Sequence, residues 1–270
     1  MSALGEAATD YLSVRRALGF KLATHDRLLA DLIDHIEQSG ARVLTTQLAL
    51  DWAMRAGGEE TRVKRMSAAR GFARYLQTLD PKTEVPPAWL LPKRVRRVDP
   101  YLYSEAEIRS LLAATATLRP PLRALTYRTL LGLLAVSGLR VGEALKLDRG
   151  DVDLADGVLT VRDGKFGASR EVPLHPSTVT ALADYARARD QRWRRPSSPA
   201  FFLSVTGTTL FHTNVCATFR DLRAVARIRT PPGRRQPRIH DLRHYADGCV
   251  MRPVGLFALV RALSAVILSA

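Results

Sequence analysis

The sequence has little cysteine and no recognisable export signal. Its two cysteines, Cys216 and Cys249, do not form a CxxC pair, so the spacing indicates neither a disulfide framework nor a zinc site. The opening residues, Met-Ser-Ala-Leu-Gly-Glu, lack the basic start and apolar core of a signal peptide. We therefore expect a cytoplasmic protein that needs no metal.

Long hydrophobic runs are also scarce. The one candidate, 254–270, is apolar apart from Arg261 and a few small or hydroxyl residues. Seventeen residues interrupted by an arginine are marginal for a membrane span. We expect no membrane association, and a basic protein tethered through this tail is the alternative.

Acidic residues are outnumbered by basic ones. The 270-residue chain has 26 Asp and Glu against 41 Lys and Arg, a net charge of +15, and arginine exceeds lysine. Because the planar fork of arginine matches phosphate, this balance favours nucleic acid as the partner. An anionic membrane surface and a merely basic solvated surface are the alternatives.

The first 80 residues have the pattern of a helical domain. Apolar residues recur at helical spacing over about 3–18, 24–39, 46–55 and 59–79, separated by glycines. The fourth helix also carries the five basic residues that we take as candidate DNA contacts: Arg62, Lys64, Arg65, Arg70 and Arg74. A solvated basic face is the equally weighted alternative.

Residues 81–103 read as a linker. Prolines 86, 87 and 92 block regular helix, and like charges repel one another in the cluster that follows. An arm of this charge can follow a DNA backbone, and its candidate contacts are Lys93, Arg94, Arg96 and Arg97.

Residues 104–250 combine helices with a short β-hairpin. Ser104 and Glu107 have the spacing of a capping box, and a helix after Pro121 runs to Ser137 and Gly138. The segments 158–162 and 170–174 read as strands, with Lys165 between them at a glycine-flanked tip. This lysine can reach a ligand, or it is an ordinary solvated turn residue. We predict a mainly α fold with a small antiparallel sheet.

Arg140 follows the Ser137-Gly138 break inside an apolar stretch. Its apolar neighbours predict a largely buried short helix, where a guanidinium needs an anionic partner. Glu143, three residues later, can supply that partner or hold the arginine for a ligand. The alternative is a structural Arg-Glu pair.

A second cluster lies at 239–244, Ile-His-Asp-Leu-Arg-His. On the first turns of a helix, His240 and Arg243 share a face and can meet one ligand together. The N-terminus of that helix adds a preference for an anion. Taken alone, His240 is by default a structural histidine whose ring nitrogens are satisfied within the protein.

The two arginine motifs, Ser-Gly-Leu-Arg-Val-Gly-Glu-Ala-Leu and His-Asp-Leu-Arg-His, occur in this order with a hairpin lysine between them. The chain thereby resembles the tyrosine recombinase, or phage integrase, family over about residues 4–248. The resemblance implies a core-binding domain (1–80), a linker (81–103) and a DNA breaking-rejoining catalytic domain (104–250). It further implies double-stranded DNA as partner, self-association on DNA, and strand exchange through a 3′-phosphotyrosyl intermediate without a cofactor.

Site roles follow from the same resemblance. Arg140 and Arg243 are expected to hold the scissile phosphate, and Lys165 to protonate the leaving 5′-oxygen. His240 is expected to assist proton transfer, and Glu143 to brace Arg140.

The nucleophile expected from the resemblance is not found. The family's tyrosine follows the His-x-x-Arg helix by roughly thirty residues, whereas Tyr245 is the sole tyrosine after Arg243 and lies outside the motif. The tail 251–270 is atypical, and we expect a truncated or frameshifted C-terminus. We predict a chain that binds DNA without cleaving it. A non-enzymatic protein that occupies recombination sites is the alternative.

Overall fold

The computed structural model describes residues 2–20, 22, 24–91, 99–162, 169–230, 233 and 235–249, with the backbone alone at 246–249. The chain divides into two compact units, Met1–Arg97 and Val98–Ala270. The finer domain boundaries expected from the sequence, at 80, 103 and 250, stay predictions.

The first unit is helical in its described part, as predicted. Its helices are α1 (Ala3–Ala17), α2 (His25–Gln38), α3 (Thr46–Met54) and α4 (Glu59–Leu79). Polar residues begin two of them, because the Ser2 hydroxyl accepts from the Gly5 N–H and the Thr45 hydroxyl accepts from the Leu48 N–H. Such caps satisfy donors that have no partner within the helix.

All four helices contribute to the core of this unit. Leu32, Ile36, Trp52 and Phe72 are fully buried there. The indole N–H of Trp52 donates to Asp31 Oδ2 at 2.9 Å, so this ring is buried with its polar atom satisfied. On α4, Met66, Phe72 and Leu76 are buried and Val63 is half-buried.

The second unit contains the remaining described helices. They are α5 (Glu105–Ala114), α6 (Pro121–Ser137), α7 (Val141–Ala144), α8 (Pro176–Arg192), α9 (His212–Val225) and α10 (Leu242–Cys249). The predicted capping box is present: Glu107 N–H donates to the Ser104 hydroxyl at 3.2 Å, and Ser104 N–H donates to Glu107 Oε2 at 2.8 Å. Helix α5 therefore starts where its sequence predicts.

A small antiparallel sheet completes the described part of the second unit. Strands β1 (Val152–Asp153), β2 (Val158–Val161) and β3 (Arg170–Pro173) lie in that order. The hairpin of β2 and β3 confirms the sequence prediction, with Leu159 opposite Val172. Strand β1 was not predicted, since the segment 148–156 reads as turns and only its pairing with β2 makes it a strand. Helices and sheet together confirm the predicted fold class.

Helix α6 is the centre of the second unit. Twelve of its residues are buried, so water touches little of its surface. Helices α5, α8 and α10 pack against it. It ends at Gly138, whose φ of 63° is a left-handed conformation that glycine adopts without strain. This turn places Arg140 two residues after Gly138, just beyond the end of a buried helix.

Within the ranges given above, no helix combines the length and the apolar character that crossing a membrane requires. The tail proposed as a tether lies outside the described residues.

Candidate active site

Arg140 is the residue before α7 and is held by Glu143 in two ways. Its Nη1 donates to Glu143 Oε1 at 2.7 Å, and its backbone N–H donates to Glu143 Oε2 at 2.9 Å. The predicted contact between these residues is therefore present. The prediction that Arg140 is largely buried is wrong for its side chain, which is 38% exposed, whereas that of Glu143 is 9% exposed. The carboxylate is covered, and the guanidinium reaches the surface.

Glu143 is ionised over the whole physiological range. Burial raises its pKa, but the hydrogen bonds from Arg170 and from the backbone and side chain of Arg140 outweigh that effect and lower the pKa to about 2. Arg170, on β3, was not singled out from the sequence. Its Nη2 donates to Glu143 Oε2 at 2.8 Å. A contact between residues so far apart in the chain leaves no local signal in the sequence.

His240 and Arg243 lie at the junction of two helical segments. His240 is in a short 3-10 turn, Ile239–Asp241, and Arg243 is the second residue of α10. His240 is exposed and Arg243 half-buried. The rings of His240 and His244 are 6.4 Å apart in an edge-on arrangement. His240 and Arg243 thus lie in consecutive turns at the beginning of α10, as expected.

The pKa of His240 is lowered from its ordinary value. Partial burial is the largest cause, and the neighbouring basic side chains Arg238, His244 and Arg243 add to it against the opposing effect of Asp241. A neutral imidazole is therefore favoured at pH 7. It can accept or donate a proton where a permanent cation could not.

Buried polar contacts fix the segment before α10. The Asp241 carboxylate, 1% exposed, accepts from the Arg238 N–H at 2.8 Å. Arg223, on α9, donates to the Pro237 carbonyl at 2.7 Å, and the Tyr103 hydroxyl donates to the Arg238 carbonyl at 3.3 Å. These supporting residues were missed by sequence reasoning, although Asp241 lies inside the second motif.

Tyr245 packs into the protein. It is half-buried and lies against the hydrophobic core of the second unit.

The five candidate cations of α4 differ in what they already bind. Arg62 donates to the Ala56 carbonyl at 2.8 Å. Arg65 donates to the Trp52 carbonyl at 2.9 Å and to Asp31 at 2.8 Å.

Arg70 donates to the carbonyls of Pro86 and Pro87, each at 2.8 Å. Lys64 pairs with Glu60 while 67% of its side chain stays exposed. Arg74 is exposed, and within the described residues it has no hydrogen bond or ion pair. The solvent-facing cations of this helix are thus Lys64 and Arg74.

Several predicted site residues lie outside the described ranges. They are Lys165 of the hairpin tip and Lys93, Arg94, Arg96 and Arg97 of the linker. Their roles stay predictions.

Comparison with known proteins agrees with the resemblance seen in the motifs. Residues 102–247 match the model of the phage integrase family. The integrase/recombinase y4rB of Sinorhizobium fredii is 41% identical over 261 residues, which cover 93% of this chain and 83% of the relative. The tyrosine recombinase XerC of Herpetosiphon aurantiacus is 35% identical over 152 residues, covering 56% of this chain and 49% of the relative.

A solved structure shares the fold. The crystal structure of a lambda integrase(75-356) dimer bound to a COC′ core site superposes with a TM-score of 0.64 at 17% identity, covering 96% of this chain and 93% of that one. The match of the family model to more than half of the sequence, together with the extended identity to y4rB, shows that this chain belongs to the phage integrase family of tyrosine recombinases.

Proposed function

We propose that the chain binds duplex DNA and acts at sites of DNA recombination and integration, with one backbone phosphate held at Arg140. The observation that carries this proposal is the Arg140–Glu143 pair: a covered carboxylate fixes a guanidinium whose outer part reaches the surface. A charge-assisted contact to phosphate suits such a group. Lambda integrase, which shares the fold, was crystallised as a dimer on its core site. We propose self-association on DNA for this chain too.

The chemistry that we propose for these residues, wherever a tyrosine nucleophile is supplied to the site, is phosphoryl transfer to that tyrosine. Arg140 and Arg243 hold the non-bridging oxygens and neutralise the charge that grows on a pentacoordinate phosphorus. As the tyrosine oxygen bonds to phosphorus, the bond to the 5′-oxygen breaks, and Lys165 supplies the proton that this leaving oxygen takes up. The lowered pKa of His240 supports a role in proton transfer for this residue.

We further propose that the 270-residue chain itself binds this phosphate without forming a covalent bond to it. Tyr245 is the sole tyrosine after Arg243 in the sequence, and it packs against the core. This observation favours the second candidate function, a DNA-binding protein that occupies recombination sites.

The experiment begins with selection of a binding site from a random duplex library by the purified chain. Fluorescence anisotropy on the selected duplex then gives the affinity at several salt concentrations. We expect affinity to fall steeply with salt, and Arg140→Ala to weaken binding about tenfold. Absence of duplex binding at low salt would contradict the proposal.

A nicked suicide duplex of the same site tests the chemistry. We expect no covalent adduct on a denaturing gel. An adduct that disappears in Tyr245→Phe would show that this tyrosine attacks DNA, and the proposed lack of cleavage would be wrong. Under the second candidate function, Lys165→Ala also leaves the affinity within about twofold, because a general acid contributes to cleavage more than to binding.

A further inference from the structure

One carboxylate joins two arginines from different elements of the second unit. Glu143 Oε1 accepts from Arg140 Nη1 at 2.7 Å, while Oε2 accepts from Arg170 Nη2 at 2.8 Å. A longer contact of 3.4 Å runs from Arg170 Nη1 to Oε1, so this arginine spans both oxygens. Helix α7 and strand β3 are thereby connected through a single buried anion.

The charges in this cluster leave a surplus cation. A lone Arg140–Glu143 pair is neutral, and its carboxylate would draw the guanidinium inward. With Arg170 present, two positive charges share one negative charge. The side chains of Arg140 and Arg170 are 38% and 41% exposed, against 9% for Glu143, so the surplus charge lies toward solvent. Arg140 uses Nη1 for this pair and has further N–H donors that suit a phosphate.

Arg170 lies at the end of β3 that is nearer in the chain to Lys165. It is the first residue of β3 and lies opposite Val161, the last residue of β2. The segment 163–168, which contains Lys165, connects these two strands. The contact with Glu143 therefore attaches the first residue of β3 to the helix that follows Arg140.

We infer that Arg170 is a positioning residue of the phosphate site: by sharing Glu143 it sets the orientation of Arg140, leaves a net positive charge in the cluster, and ties strand β3 to the helix that follows Arg140. The inference deepens the proposed function and rests on it. It predicts that Arg170 acts on DNA binding through Arg140, and this separates it from an arginine that contacts DNA directly.

A double-mutant cycle measured on the selected duplex tests this prediction. The variants are Arg140→Ala, Arg170→Ala and the double substitution, with Arg187→Ala as control. Arg187 is a matched control because it is also an exposed arginine in an ion pair, here with Asp184 on α8. Affinity comes from anisotropy at one fixed salt concentration, and thermal melting shows that each variant is folded.

We expect Arg170→Ala to weaken binding about three- to tenfold, and Arg140→Ala about tenfold. The double variant should bind within about twofold of Arg140→Ala, because coupled residues are not additive. Arg187→Ala should stay within about twofold of the unmutated chain. If Arg170→Ala melts below the assay temperature, Arg170→Lys replaces it in the cycle, since lysine keeps one charged contact to Glu143 but not the two-oxygen one.

Two results would overturn the inference alone: full additivity in the double variant, or unchanged affinity in Arg170→Ala while Arg140→Ala binds weakly. A different pattern marks failure of the proposed function. In that case the unmutated chain does not bind duplex, or Arg140→Ala leaves its affinity unchanged, and the inference fails with it.

Discussion

Helix α4 of the first unit and the Glu143 cluster of the second unit are both rich in arginine, but they use it differently. In α4, Arg62, Arg65 and Arg70 donate to backbone carbonyls, and Arg65 also pairs with Asp31. In the Glu143 cluster, two arginines share one buried carboxylate and keep about two fifths of their side chains exposed. Net charge therefore overstates the charge that a partner can reach. Whether a guanidinium can bind DNA depends on the groups of the protein to which it is already hydrogen-bonded.

Removal of the carboxylate that Arg140 and Arg170 share has the largest expected effect. Glu143→Ala leaves Arg140 and Arg170 facing each other without it, and we expect the free energy of unfolding of the second unit to fall by about 2–4 kcal/mol. Urea denaturation followed by circular dichroism measures this loss. Glu171→Ala is the matched control, because Glu171 is the exposed neighbour of Arg170 on β3. Equal losses in the two variants would show that the cluster contributes nothing to stability.

Acid should weaken the same cluster within a defined range of pH. The pKa of Glu143 is lowered from 4.5 to about 2 in the folded chain. Because a lowered carboxyl pKa stabilises the folded state while the group is ionised, this stabilisation is fully present above pH 4.5 and is lost as pH falls through about 2.

We expect the difference in unfolding free energy between the unmutated chain and Glu143→Gln to shrink over this range. Urea titrations at several pH values and constant ionic strength measure it. A difference that stays constant with pH would contradict the lowered pKa.

Arg65 of α4 is an arginine that we expect to stabilise the first unit. Its guanidinium lies 4.9 Å from the centre of the Trp52 ring and pairs with Asp31, with 20% of the side chain exposed. We expect Arg65→Ala to lower the free energy of unfolding of the first unit by about 1–2 kcal/mol.

Lys64→Ala, one residue away but largely exposed, should change stability by less than about 0.5 kcal/mol. Thermal melting of both variants gives the comparison. A larger loss of unfolding free energy in Lys64→Ala than in Arg65→Ala would contradict the assignment of Arg65 as a structural cation and Lys64 as a solvent-facing one.

Local spacing explains which features the sequence could predict. The Ser104–Glu107 capping box, the turn at Gly138 and the Arg140–Glu143 contact each join residues at most four apart, so their geometry is set within one helical turn. The helices of the first unit follow equally from periodicity. The family motifs added the expected roles of Arg140, His240 and Arg243.

Contacts between distant residues were beyond sequence reasoning. Arg170 meets Glu143 across 27 positions, and Arg65 meets Asp31 across 34. Strand β1 exists because β2 pairs with it. Arg128, in the middle of α6, is 1% exposed and burial lowers its pKa to about 10, although an arginine is ordinarily expected at the surface. Each of these features depends on how distant segments pack together. The periodicity of the sequence does not show which segments become neighbours.

Arg74 gives the smallest expected effect and the most direct test of available charge. It is exposed, and the described part of the chain offers it no ion pair, so its removal should leave the free energy of unfolding within about 0.5 kcal/mol. If α4 faces DNA, Arg74→Ala should weaken duplex binding about two- to threefold and lower the slope of log affinity against log salt by about 1.

Arg62→Ala is the control on the same helix. Its guanidinium is bonded to the Ala56 carbonyl, so its removal should alter the salt slope less than that of Arg74. Equal slopes for Arg74→Ala and the unmutated chain would mean that Arg74 faces solvent rather than DNA. The charge that binds DNA would then have to come from Lys64 or from other parts of the chain, because Arg62, Arg65 and Arg70 are already engaged within the fold.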